Sequence, residues 1–148
     1  MPAFVVDTNL YVSAIRTEEG NAELAQFQSR SAAGLYQHST VAHEILAGAR
    51  DEADYREYYE DWVAPFEDLG RVITPSHASW MRAALILTRL VQRGLKSPGR
   101  FSRSFLNDCL IAASAREEGF TLVTANIRDF TLIREVEPRL EFTPPWPG

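Results

Sequence analysis

A parallel α/β sheet with helices on both faces is the fold this sequence predicts. Three observations carry it. Short apolar runs alternate with longer helical patterns along the chain. The first run, Ala3-Phe4-Val5-Val6, reads as a buried strand. No repeat, low-complexity segment or linker divides the 148 residues, so residues 1–148 are expected to form one domain.

The elements follow in order. Phe4–Val6 is the first strand, and Asn9 is placed to cap a short helix to about Ile15. Glu18-Glu19-Gly20 reads as a turn, and Asn21 as the cap of a second helix to about Ala33. Leu35–His38 is a weak second strand. Ser39 or Thr40 caps a helix through Ala49. A helix acidic on one face runs from Asp51 to Val63 and ends before Pro65. Arg71–Thr74 is a third strand. Ser76 caps a long helix from His77 to about Gln92, stopped at Gly94. After a loop at Lys96–Arg100, a helix starts at Ser102 or Ser104 and runs through Glu118, stopped by Gly119. Phe120–Thr124 is the fourth strand and Leu140–Phe142 a fifth. The tail Pro144-Pro145-Trp146-Pro147-Gly148 cannot be regular structure.

Composition narrows the class. Apolar residues make up 45% and charged residues 24%, ordinary globular values. No apolar run approaches the ~20 residues that span a bilayer, so no membrane segment is expected. The N-terminus lacks a basic run and carries Asp7, which argues against a signal peptide and for the cytoplasm. Cys109 is the sole cysteine, so no internal disulfide can form.

The formal net charge is −5, unevenly spread. Asp51, Glu52, Asp54, Glu57, Glu60, Asp61, Glu67 and Asp68 crowd one segment. From Leu69 to Asn107 there is no acid, but there are Arg71, Arg82, Arg89, Arg93, Lys96, Arg100 and Arg103. Such asymmetry hints at a polyanionic or charged partner. Lys96 is the only lysine, and arginine's planar fork suits phosphate oxygens.

The acids gather where the fold would bind a ligand, beyond the carboxyl ends of parallel strands. Asp7 ends the first strand. Glu44 lies early in the helix after the second. Asp129 lies in the loop after the fourth, and Asp108 in the helix that feeds it. Each has an ordinary explanation. Asp7 can cap a helix, Glu44 and Asp129 can face solvent, and Asp108 can pair with Arg100 or Arg103. Together, converging carboxylates repel one another unless a cation is present. All-oxygen ligation selects Mg²⁺ or Mn²⁺, which activate water and offset charge on a phosphodiester. On this reading a metal compensates Asp7, and no protein cation does.

Four stretches, in order, give the chain a family likeness. They are VVDTNLYVSAI with Asp7, STVAHEILAGAR with Glu44, NDCLIAASAREEG with Asp108, and TLVTANIRDF with Asp129. On these the chain resembles PIN-domain ribonucleases, specifically VapC-type toxins of toxin–antitoxin pairs. The resemblance implies a three-layer α/β/α sandwich on a central parallel sheet of four to five strands. It implies Mg²⁺- or Mn²⁺-dependent RNA cleavage, a homodimer, and a VapB-like antitoxin whose C-terminal segment occludes the cleft. Asp7, Glu44 and Asp108 match the family's acidic positions. Asn126 and Asp129 both fall where a fourth group sits, with Asp129 preferred because a carboxylate binds a cation better than an amide. Asp7, Asp108 and Asp129 are the metal candidates. Asn9, Thr124 and Asn126 match positions that hold carboxylates in place. Arg89, Arg93, Lys96, Arg100 and Arg103 are the RNA-binding candidates, and Arg128 has no assigned role.

Other classes fit less well. A haloacid-dehalogenase phosphatase needs a second Asp where Asn9 stands. Cys109 lies in an apolar helix with no nearby His. His38, His43 and His77 lack metal spacing, and there is no Gly-rich phosphate loop. Trp62, Trp80 and Trp146 read as packing or interface residues. The Tyr55, Tyr58, Tyr59 and Trp62 set is more than one packed face explains, so part of it is expected to meet a partner. The rival of a different class is a catalytically silent PIN-like module that binds RNA or protein.

Overall fold

A computed structural model describes residues 2–148. Five parallel strands form its sheet: β1 (Phe4–Val6), β2 (Leu35–His38), β3 (Val72–Ile73), β4 (Thr121–Val123) and β5 (Phe142–Thr143). Their order is β3-β2-β1-β4-β5. Val5 pairs with Tyr36 on one side and Leu122 on the other, so β1 is central. The chain winds outward from β1 in one direction, then returns to begin again at β4. The crevice between the carboxyl ends of β1 and β4 is therefore the topological switch point, where such sheets bind ligands.

Parallel strands need crossovers, and helices supply them. They are α1 (Thr8–Arg16), α2 (Glu18–Ser31), α3 (Ser39–Ala47), α4 (Glu52–Tyr58), α5 (Ala64–Asp68), α6 (His77–Gln92), α7 (Arg103–Glu118) and α8 (Ile127–Arg134). Val5, Val6, Leu122 and Val123 are fully buried, which explains the apolar run Phe4–Val6 of β1 and the apolar pair Leu122-Val123 that ends β4. The α/β class with a parallel sheet stands as the sequence predicts.

Several element ends differ from expectation. Asp7, not Asn9, caps α1, its Oδ1 accepting from Thr8 N at 2.8 Å. The expected turn at Glu18–Gly20 is the first turn of α2. Thr17 caps it through Gly20 N, and a Cβ on Gly20 would stand 2.5 Å from the Ser13 carbonyl oxygen. Glycine there lets α2 pack tightly on α1. His38 caps α3 in place of Ser39 or Thr40. The acidic helix does not stop before Pro65. A π turn at Tyr59–Val63 joins α4 to α5, and Pro65 sits in the first turn of α5, where a missing N–H costs nothing. The fifth strand begins two residues later than expected, at Phe142, because Leu140 turns into the core.

The largest difference is α8. The segment around Asp129 is helical, with Phe130 and Ile133 buried at i, i+3 spacing. Its N-terminus carries no side-chain cap, because Asn126 is engaged elsewhere. The irregular tail packs on α2: the Trp146 and Phe27 rings are 5.3 Å apart and Trp146 Nε1 donates to Glu23 Oε2 at 3.0 Å. Among the described residues no helix is long and apolar enough to cross a membrane.

Candidate active site: a carboxylate cleft at the switch point

Asp7 leaves the end of β1 and is 5% exposed. Its Oδ1 caps α1, so the capping role exists. Its Oδ2 does something else, accepting from Thr124 Oγ1 at 2.7 Å. Thr124 directly follows β4, and its hydroxyl in turn accepts from Asn126 N at 2.9 Å. Register explains the meeting: Val6 pairs with Val123, and Asp7 N donates to Val123 O at 2.9 Å. The residues just past both strands must face each other. Among the described residues no cation pairs with Asp7. Burial raises its pKa from the ordinary 3.8, and the Thr124 and Thr8 bonds only partly offset this.

Asp108 lies on α7, also 5% exposed. It pairs with neither Arg100 nor Arg103. Asn126 Nδ2 donates to Asp108 Oδ2 at 3.1 Å and to Asp129 Oδ2 at 3.1 Å. One amide thus ties the helix before β4 to the helix after it. Burial, then the charges of Asp7, Asp129 and Glu44, push the Asp108 carboxyl up to about 8. That ordering places four carboxylates within electrostatic reach of one another.

Glu44, half-buried on α3, closes the cleft. Asn107 Nδ2 donates to its Oε1 at 3.3 Å. Its pKa is raised by burial and by Asp7, against lowering by Asn107, Thr8 and His43. Thr8 Oγ1 is buried beside Glu44, close enough to favour its charged form.

The cleft brings together Asp7, Glu44, Asp108, Asp129, Thr124 and Asn126. It does not enlist Asn9, which is exposed on α1. Asn107 and Thr8 take part instead, unanticipated by the sequence reasoning. Their only signal was adjacency to Asp108 and Asp7.

The donor set suits a hard divalent cation: four carboxylates, none of them in an ion pair among the described residues. Among the described residues no three His, Cys, Asp or Glu side chains are grouped closely enough to hold a metal ion by themselves. That is compatible with Mg²⁺, which usually takes one or two carboxylates and keeps several waters.

The acid-free segment divides. Arg82 is spent on the fully buried Glu137, Nε to Oε2 at 2.7 Å, with Arg116 on the other oxygen at 2.8 Å. Arg71 donates to the Ala32 carbonyl. Arg93 donates to the neutral Glu135 carbonyl at 2.8 Å, and Lys96 stands 4.1 Å from the Phe105 ring centroid. Arg89, Arg93, Lys96, Arg100 and Arg103 enter no ion pair among the described residues.

The sequence matches the PIN domain family over residues 4–136. Among curated proteins, none matches significantly by sequence. Solved structures share the fold. VapBC2 from Rickettsia felis, bound to a promoter DNA fragment, is similar with TM-score 0.66 and 24% identity over 98% of this chain and 99% of that one. DNA-bound VapBC from Salmonella typhimurium gives TM-score 0.69 and 18% identity over 97% and 98%. FitAcB from Neisseria gonorrhoeae gives 0.68 and 18% over 97% and 98%. With a sequence match running from the first strand to the turn after α8, the chain belongs to the PIN domain family.

Proposed function

We propose that this chain is a Mg²⁺- or Mn²⁺-dependent endoribonuclease and the toxin of a type II toxin–antitoxin pair. PIN domains are typically nucleases and generally use divalent metal ions. The observation that carries the reading is the cleft itself: Thr124 and Asn126 hold Asp7, Asp108 and Asp129 together, none of them in an ion pair among the described residues. Such a cluster is costly in itself, and repays its cost when a cation enters.

Asp7, Asp108 and Asp129 would hold the cation, with Glu44 facing them. When bound, it supplies activation of water and offsets the negative charge that builds on the phosphodiester. The chain's own groups do the rest. Thr124 fixes Asp7, and Asn126 fixes Asp108 and Asp129, so the acids are aimed before substrate arrives. Burial and the neighbouring carboxylates favour the protonated form of Asp108, and a cation held there would favour its carboxylate. Asn107 holds Glu44 Oε1, leaving Oε2 free to accept the proton of the attacking water. Hydrolysis then joins the water oxygen to phosphorus as a P–O ester bond breaks. Arg89, Arg93, Lys96, Arg100 and Arg103 are the candidate RNA contacts.

The partner is a VapB-like antitoxin, a reading supported by the VapBC complexes that share the fold. A homodimer is supported by Trp80, Met81 and Leu85, large apolar residues exposed along α6. Tyr58 and Trp62 pack on the core, and Tyr59, half-buried, donates its hydroxyl to Glu67, while the exposed Tyr55 stacks on it at 6.3 Å and remains for a partner. The cytoplasm fits both activity and partner. The test is a fluorogenic RNA substrate with Mn²⁺, with and without EDTA. Cleavage that EDTA abolishes supports the reading, and none above background contradicts it.

A further inference from the structure

A groove of about 730 Å³ opens beside the carboxylate cleft, lined by Arg93, Lys96, Arg128 and Asp129, with Leu95 and Leu132 among its apolar walls. Asp129 belongs to both: its Oδ2 accepts from Asn126 in the cleft, and its side chain borders the groove. The two spaces therefore adjoin at Asp129. The volume falls within the ~300–1,000 Å³ of small-molecule sites, room for a nucleotide-sized group.

The charges set this groove apart. The ion pairs among the described residues involve Arg50, Arg82 and Arg116. None involves the groove's cations. Arg93 meets a neutral carbonyl and Lys96 an aromatic face. Arg128 is exposed and has no hydrogen-bond or ion-pair partner among the described residues. Glu135 also lines the groove, but its backbone carbonyl is what engages Arg93. Three cations without an acidic partner among the described residues, Arg128 free of any hydrogen bond as well, thus stand next to an acidic cleft on an acidic protein.

We propose that this groove holds the single-stranded RNA flanking the scissile bond, with Arg128 as a positioning residue for its phosphate. The inference rests on the nuclease reading and adds the path of the strand. The RNA leaves the carboxylate cleft past Asp129, its phosphate facing Arg128, Arg93 and Lys96, and a base or ribose lying on Leu95 and Leu132. Arg100 and Arg103 do not line the groove and stand outside this path. Metal in the cleft screens the acids, and the groove then supplies the attraction.

Two measurements on the full chain test it. Binding of a labelled, random-sequence, single-stranded RNA of a dozen nucleotides is followed against salt in an Asp108→Asn background with Mg²⁺. Arg128→Ala is expected to flatten the log–log slope by about 0.7, one phosphate contact on a single strand, and Arg128→Lys to restore it. Cleavage is followed with Asp108 intact. Arg128→Ala is expected to raise KM roughly fivefold on a long RNA while kcat stays within about twofold. On a dinucleotide too short to reach the groove it should match wild type. Loss on both substrates would mark a general structural role and overturn the inference. Wild-type cleavage with unchanged slope and KM in Arg128→Ala overturns the groove alone and leaves the nuclease reading standing. RNA behaviour unchanged while binding of a polyglutamate peptide weakens would assign the groove to a protein partner, again overturning it. If wild type neither cuts nor binds RNA, the nuclease reading falls and the groove with it.

Discussion

Thr124 donates its hydroxyl proton to Asp7 across the boundary between β4 and β1, at 2.7 Å. Both residues are buried, and the bond spans the switch point of the sheet. It couples the fold's central register to the orientation of the acid on which the site is built. Thr124→Val keeps the shape and removes the donor. We expect a loss of about 1–3 kcal/mol for the unsatisfied carboxylate oxygen. Activity should fall ten- to a hundredfold, as for other groups that support ligands. Thr124→Ser should restore most of both, checked by urea melts and cleavage rates.

Asp108 makes metal-free stability depend on pH. Its folded pKa is about 8, against an ordinary 3.8, so between these values the folded state binds a proton that the unfolded state lacks. Its contribution is full below about pH 4 and is lost as pH rises through about 8. In EDTA, Asp108→Asn should flatten the fall in stability over this range. Denaturation midpoints at pH 5 and pH 8 check it; equal slopes in both proteins would contradict the assignment.

His38 acts in the opposite sense. Its Nδ1 accepts from Thr40 N and its Nε2 meets Ser114 Oγ at 2.9 Å, so the ring sits neutral in the core. Burial lowers its pKa from 6.5 to about 4. The unfolded state therefore binds the extra proton between these values. The stability contribution is full above about 6.5 and is lost as pH falls through about 4. His38→Gln should remove that slope, measured by melting temperature from pH 7 to pH 4.

Glu137 is a structural charge, far from the cleft in role. Burial works to raise its carboxyl, but bonds and charges from Arg82 and Arg116 outweigh this and hold it below its usual range. Glu137→Ala leaves two arginines facing each other, both partly solvated. The cost should be about 3 kcal/mol, the low end for a broken buried pair. The Tm should fall while the KM for RNA in properly folded protein stays unchanged.

The legibility of this molecule follows from distance along the chain. β1 and Asp7 were readable because an unbroken apolar run meets an acid within one segment. Helices α6 and α7 were readable because Ser76, Ser102 and Gly119 mark their ends with local chemistry, Gly119 at φ +78°. Helix α8 was not, because its natural cap, Asn126, spends its amide on Asp108 and Asp129. The four acids were legible as a set. Their supports were less so: Asn107 reaches Glu44 from 63 residues away, and such pairing is a product of the topology. Arg82 counted among the bases of the acid-free segment that hinted at a charged partner, and the fold commits it to Glu137 instead.

The central claim is that a divalent cation, and no protein cation, compensates Asp7. Thermal melting of wild type and Asp7→Asn with and without millimolar Mn²⁺ tests it most directly. At a hundredfold excess over Kd, binding linkage gives about 2.7 kcal/mol, or roughly 8 °C in Tm for a chain of this size. Wild type should rise by several degrees. Asp7→Asn should start higher without metal, relieved of a buried charge, and gain less when metal is added. A wild-type Tm unmoved by Mn²⁺ would contradict the claim.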